Sequence, residues 1–277
     1  MIELIFIIFF GSSICVSQED LFSYIDDIET PSLAVQGTFK ATRIVNAQSV
    51  EMARKNTLEF IIFHRFGSMR NGFYDLYGLD EASVRFDLSY GINEKFSLGF
   101  GRSSFMKTYD LFYKIKLLSQ KSKKRFSLAS VVLFSKVEIA MINKNEKFNN
   151  RLVYDAQLLI ARKINQSISI QIMPTVIHKN SIQWHEIYNR LYSMGIGGRA
   201  KVTKRVSLNV DTFFPLGERV GSYNQSWGFG CDIETGGHVF QLLLTNAQGT
   251  YESSYIEKSR GGSNMFFGFN ITRSFSI

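Results

Sequence analysis

The chain of 277 residues contains only 3 Pro and 2 Cys. After its first twenty positions it has no run of about 18 or more uncharged apolar residues, the length a membrane-spanning helix needs. A helical membrane protein is thereby excluded, and so is a small disulfide scaffold. No Walker, dinucleotide-binding or Cys-x-x-Cys motif is present, which removes the common nucleotide and redox classes. The net charge of +8 is not gathered on one helix face or motif but scattered through short polar punctuations, so no nucleic acid is expected as a partner. What the chain does have is 45% hydrophobic and 14% aromatic residues beside 20% charged ones, far too apolar for a disordered polymer. That apolar surface must meet either a core or lipid.

Leu4–Ser13 is a short apolar run followed by Cys15-Val16-Ser17, with small residues where a signal peptidase reads. Residues 1–17 are expected to be a signal peptide and the mature chain to start at Gln18. Removal leaves Cys231 alone, so stability has to come from packing and backbone pairing, without an internal disulfide.

Beyond residue 56 the dominant pattern is period-2 alternation. Its clearest case is Ala82–Tyr90, where every even position is apolar and every odd one polar. Comparable runs are Leu58–Phe66, Phe96–Ser103, Tyr109–Leu117, Phe126–Val137, Leu152–Ala161, Ile168–Ile177, Leu191–Ala200, Val206–Phe214, Trp227–Glu234, His238–Asn246 and Phe266–Ile277, making twelve in all. Most are of the length that a tilted strand needs to cross a bilayer, and bacterial single-chain barrels have even strand numbers. The links alternate as well. Gly91–Lys95, Ser119–Arg125, Arg162–Ser167, Lys201–Arg205 and Thr235–Gly237 are tight, whereas 67–81, 138–150, 178–190, 215–226 and 247–264 are longer; only Ser104–Thr108 is short where a long link is expected. The pattern predicts an all-β, antiparallel up-and-down transmembrane β-barrel of about 12 strands over residues 57–277, in the cell outer membrane, with tight turns on the periplasmic side. Pro174, lacking a ladder donor, is expected near a rim or bulge.

Residues 18–56 lie outside this series and open with an acidic stretch, Gln18–Glu29. They are expected to form a periplasmic segment: a flexible tail, a plug, or a partner-binding piece. Within it Thr38–Asn46 has the composition of a short strand or turn packed under the barrel mouth.

Phe39–Asn46, His64–Gly67, Phe73–Asp80, Gly101–Ser104, Leu158–Lys163, Met173–Thr175 and Asp232–Gln241 together resemble a family of Bacteroidota outer-membrane β-barrel proteins that is a domain of unknown function. The similarity covers nearly all of the chain after residue 35. It implies an envelope barrel and no catalytic residue. The aromatic alternation of the last strand, Phe267, Phe269, Ile271, Phe275 and Ile277, is similar to the terminal strand that barrel-assembly machinery recognises, with Arg273 interrupting it.

With the apolar parity facing lipid, the charged residues turned inward are Glu59, Arg65, Arg85, Asp87, Asp110, Lys114, Lys116, Asp155, Asp211, Asp232 and Glu234. They suit either a solute pathway with charged walls or a self-neutralising network filling a narrow barrel. Inward Gly99, Gly101, Gly195, Gly197, Gly228 and Gly230 suit an open wall or a tightly curved sheet. The tight turns carry Lys95, Lys121, Lys123, Lys124, Arg125, Arg162, Lys163, Lys201, Lys204 and Arg205 against Glu94 alone, a basic rim that would attract anionic headgroups, an acidic partner or the chain's own acidic segment.

His64, His178, His185 and His238 fall on separate segments, with no triad or metal-ligand spacing. No enzyme activity, metal or cofactor is expected. The sequence therefore points to a porin-like channel or transport-associated barrel for a small polar solute, or else to a structural or docking barrel presenting its basic rim and N-terminal segment to a periplasmic partner. Its other expected associates are outer-membrane lipid and, during biogenesis, the assembly machinery.

Overall fold

The structure, a computed structural model, describes residues 35, 37–121, 128–142, 145–181, 189–217, 225–257 and 264–277. The expected signal peptide, the acidic stretch 18–29 and His185 lie outside the described residues.

Twelve strands form one closed antiparallel barrel. They are β1 (Thr57–Ser68), β2 (Ala82–Gly91), β3 (Phe96–Ser103), β4 (Thr108–Leu118), β5 (Ser130–Ala140) and β6 (Leu152–Lys163), followed by β7 (Ile168–Lys179), β8 (Arg190–Lys201), β9 (Val206–Leu216), β10 (Ser226–Thr235), β11 (His238–Thr245) and β12 (Phe266–Ser276). Each strand pairs with its sequence neighbour, and β12 closes on β1 from Thr57↔Ser276 to Arg65↔Gly268, with a bulge before Ser68↔Phe266. Closure is what lipid demands, since an open edge would leave a row of backbone N–H and C=O groups unpaired where no water can reach them. Among the described residues no helix is long and apolar enough to cross a membrane.

The two faces of the wall are inverted relative to a water-soluble barrel. On β2, Phe86 is 44% exposed and Leu88 42%, whereas Arg85 between them is 0% exposed and Asp87 2%. Leu98, Phe100, Leu111, Ile170, Ile172, Val210, Phe229 and Leu242 continue the exposed apolar belt on other strands. A surface of this size has one stable setting, hydrocarbon, with the polar parity turned inward. His64 belongs to the outer parity and stacks on Phe269, 4.9 Å between centroids. Arg273, the interruption in the last strand, pairs with His238 beside the final tight turn and lies over the ring of Phe275, so it sits at a rim and not at mid-membrane.

Two expectations need correction. The fifth strand runs Ser130–Ala140 and not 126–137, because Lys136 and Glu138 continue the inward parity while Val137 and Ile139 continue the outward one. Pro174 lies in mid-strand with no bulge. Pairing with β6 lapses at Met173 and Pro174 and resumes in the same register, from Gln157↔Thr175 to Ile160↔Ile172. The short link after β3 is filled by a single 3-10 turn, Phe105–Lys107.

Candidate functional site

The interior is occupied by two inserted segments, one from each end. The first is the N-terminal piece, which enters at the tight-turn end, where Lys55 bridges to Gly91 and the Asn56 N–H donates to the Gly91 carbonyl. Residues 41–50 fold back on themselves, with Arg43 bridged to Gln48 and the Ser49 N–H bonded to the Thr42 carbonyl. The tip is seated by Asp211, whose Oδ2 accepts the N–H groups of Val45, Asn46 and Ala47 at 3.0, 2.8 and 2.8 Å. Lys114 donates to the carbonyls of Thr42, Ser49 and Glu51 at 3.2, 2.8 and 2.9 Å. Gln171 accepts from the Val50 N–H and donates to the Gln48 carbonyl. Arg199 reaches the carbonyls of Gly37 and Thr38, and Gln241 that of Ile44. Residues bonded from β4, β7, β8, β9 and β11 thus surround one short segment, which can only lie inside the barrel. Of the readings left open for 18–56, residues 38–53 are a plug, within the lumen and not under its mouth.

The wall is shaped for this plug. A methyl group added at Gly228 would stand 2.8 Å from Asn46 Nδ2 and 2.9 Å from Val45 Cγ1; one at Gly197 would stand 2.5 Å from Ile44 Cδ1. These glycines serve close approach of an inserted chain, which neither an open wall nor sheet curvature requires. Gly101 does the same for the Arg85 guanidinium.

The second segment enters from the long-loop end and carries a short helix, α1 (Glu252–Glu257), every residue of which is buried. Tyr255 packs on Phe213 of β9 with centroids 5.4 Å apart. Ser253 donates its N–H and hydroxyl to Glu138, and Lys179 pairs with Glu257.

The two insertions meet. Arg43 Nη1 is 3.0 Å from Glu252 Oε1, and Gln48 Nε2 donates to the same oxygen at 2.9 Å. From that contact an alternating circuit of charges runs through the wall. Arg43 pairs with Asp87 at 2.9 Å, Asp87 with Arg85 at 2.5 Å, and Arg85 with Asp110 through two bonds of 2.5 and 2.8 Å. Asp110 stands 3.6 Å from Lys136, and Lys136 pairs with Glu252, closing the ring. Three cations and three anions, all buried, sum to zero: Arg43 comes from the plug, Glu252 from the outer segment, and Arg85, Asp87, Asp110 and Lys136 from the wall. Burial works against the Glu252 charge, but Lys136 and Arg43 beside it hold the carboxyl well below the usual carboxylate range. Ion pairs this deep gain strength from the low dielectric and lose much if one partner is removed.

Among the inward residues expected from parity, Glu59, Arg65, Arg85, Asp87, Asp110, Lys114, Asp155, Asp211 and Asp232 are all buried. Glu59 accepts from Thr42 of the plug, Arg65 donates to Asn46 of the plug and to Asn270 of β12, Asp232 accepts from Gln241 and Asp155 from Gln157. Lys116 is half-buried next to a bulge, and Glu234 pairs with Lys40 at the tight-turn mouth. Gln171, Arg199 and Gln241 also point inward, on the polar parity of β7, β8 and β11, whereas Arg43, Lys136, Glu138 and Glu252 were not visible to strand parity. On β5 the inward Val132 and Phe134 are as apolar as the outward Val131 and Leu133, so alternation gave no contrast there. Arg43 and Glu252 lie outside any strand. Of the basic turn residues, Lys95, Lys121, Arg162, Lys204 and Arg205 are exposed and Lys163 and Lys201 half-buried, all at the tight-turn end; Lys123, Lys124 and Arg125 lie outside the described residues. Among the described residues no cluster of His, Cys, Asp and Glu is arranged to hold a metal ion.

A closed antiparallel barrel with an apolar belt outside and charge inside is an outer-membrane β-barrel. The chain belongs to the membrane bound beta barrel domain family (DUF5777), matched over residues 39–275, a span that includes the plug. Solved structures of similar fold include the NanC porin, 10% identical with a TM-score of 0.51 over 79% of this chain and 100% of that one. The KdgM porin in complex with disordered oligogalacturonate is also 10% identical, with a TM-score of 0.50 over 78% of this chain and 99% of that one. An outer membrane channel from Pseudomonas putida F1 is 11% identical, with a TM-score of 0.47 over 81% and 97% of the two chains. At such identities the likeness concerns the fold alone. No curated protein matches the chain.

Proposed function

We propose that this protein is a gated, non-enzymatic barrel for the passage of a small polar solute across the outer membrane, closed in the conformation described. The observation that carries this reading is the charge ring, which is complete only while plug, wall and outer segment are all in place. If the plug and the outer segment leave together, Arg43 and Glu252 are withdrawn as a pair and the wall keeps two cations and two anions, again neutral. If one leaves alone, an unbalanced charge stays buried, at a cost of several kcal/mol. The charges therefore favour concerted opening. The wall left behind carries many Asp, Lys, Arg, Gln, Ser and Thr side chains, groups that water would solvate readily, beside an inward apolar patch that includes Val132, Phe134 and Phe213. A barrel that needed only filling would be served as well or better by apolar side chains.

Planar-bilayer recording on the purified protein tests this. The wild type is expected to be closed most of the time, and the variant Asp211→Ala with Glu252→Gln, which unseats the plug tip and breaks the ring, to conduct in frequent steps. A folded variant as silent as the wild type would end the gated-passage reading. A second reading, a docking barrel, draws support from the exit of the plug among exposed bases: the Val35 N–H bonds to the Gln120 carbonyl, next to Lys121. An acidic periplasmic partner bound at that rim would sit where it could pull on the plug.

A further inference from the structure

At the long-loop end a cavity of about 90 Å3 lies between β4, β5, β6, β7 and the segment that leads into α1. A buried water needs roughly 10–15 Å3, so the space admits several waters or one small solute. Its lining includes Glu138, Asn150, Arg151, Lys179, Tyr251 and Ser253. Most of these polar groups are already engaged: Glu138 with Lys136 and Ser253, and Lys179 with Glu257. Arg151 is different. Its Nη1 faces only the thioether of Met141, at 3.5 Å, and its guanidinium carbon lies 5.9 Å from the centroid of the Phe148 ring. Its Nε is buried with no acceptor, and among the described residues no carboxylate stands within ion-pair distance of it. A thioether is a poor acceptor and an aromatic face a weak one, so the guanidinium fork keeps most of its capacity for a carboxylate.

We propose that this cavity is the outer binding site of the same pathway, and that it receives a small monocarboxylate bearing hydroxyl groups. The carboxylate pairs with Arg151. The hydroxyls donate toward the acidic side of the cavity, where Glu138 and Glu146 make a second negative charge on the solute unfavourable. This inference rests on the gated-passage reading, because Tyr251 and Ser253 flank Glu252 and an occupant would touch the segment that holds the ring closed.

Calorimetric titration of the purified barrel in detergent micelles tests the site with glycerate and with glycerol, its uncharged counterpart. Glycerate is expected to bind saturably in the millimolar range and glycerol to show no saturation. Arg151→Gln should weaken glycerate binding at least tenfold, and Arg151→Lys should recover part of it. Absence of saturable glycerate binding, equal binding of glycerol, or glycerate binding unchanged in Arg151→Gln would each overturn the proposal. Saturable, Arg151-dependent binding by a barrel whose plug-weakened variant never conducts would uphold the site and sink the gated-passage reading instead.

Discussion

Arg43 and Glu252 are contributed by segments that no backbone pairing ties to each other, yet they share one hydrogen-bonded contact at 3.0 Å with almost no solvent exposure on either side. Each has a second oppositely charged partner, Asp87 for Arg43 and Lys136 for Glu252. Truncating either one strands its partners. Arg43→Ala and Glu252→Gln are each expected to lower stability by roughly 3–5 kcal/mol, the usual result of leaving a buried charge uncompensated. The double variant removes a cation and an anion together, so it should cost less than the sum of the two, by roughly 0.5–3 kcal/mol of coupling. Urea titration of the four proteins in micelles measures this cycle, and strict additivity would show that the contact carries no energy.

At the scale of the element, strand parity decides which substitutions a strand tolerates. Phe86 faces outward near the middle of β2, and replacing it with Arg should cost roughly 2–4 kcal/mol, because a guanidinium would be pressed into hydrocarbon. Folding from urea into lipid vesicles gives the value; a cost near zero would mean that the outer face does not meet lipid. Ser89 on the opposite face is only 8% exposed and borders a cavity of about 10 Å3 beside the plug. The inner face is therefore polar without being permissive: Ser89→Arg has no water to extend into, and overpacking makes it damaging too. The plug is an element of another kind. Its own backbone bonds are few, and wall side chains supply the rest, which explains why it has no strand signature of its own.

For the whole molecule, the consequence is cooperativity. Plug and outer segment are bonded to strands all around the ring, so opening of the folded barrel is expected to be a rare, concerted event, and bulk release of either segment to coincide with unfolding of the wall. Urea unfolding followed by Trp fluorescence, with Trp227 on β10 as one reporter, should show a single transition, and tryptic cleavage at Lys40 and Arg43 should begin in the same urea range. Cleavage at Arg43 well before the fluorescence transition would show instead that the plug is an independent, easily released unit.

The sequence by itself determined the wall. Twelve amphipathic runs, their alternating link lengths and the inward parity of residues such as Arg85, Asp87 and Asp211 are local properties, because a strand between lipid and lumen must alternate at every second residue. The limits of that legibility are physical as well. Val132 and Phe134 point inward into the apolar cluster that also holds Phe39, Ile44 and Tyr255, so they hid the parity that places Lys136 in the ring, and the inward glycines gave no sign of what they make room for. The lumen's contents were decided only by the tertiary structure. Nothing in the spacing of Arg43 and Glu252, 209 residues apart, says that they meet. They do so because closing β12 on β1 creates a narrow polar interior, and two segments from opposite ends supply the opposite charges that it has to bury.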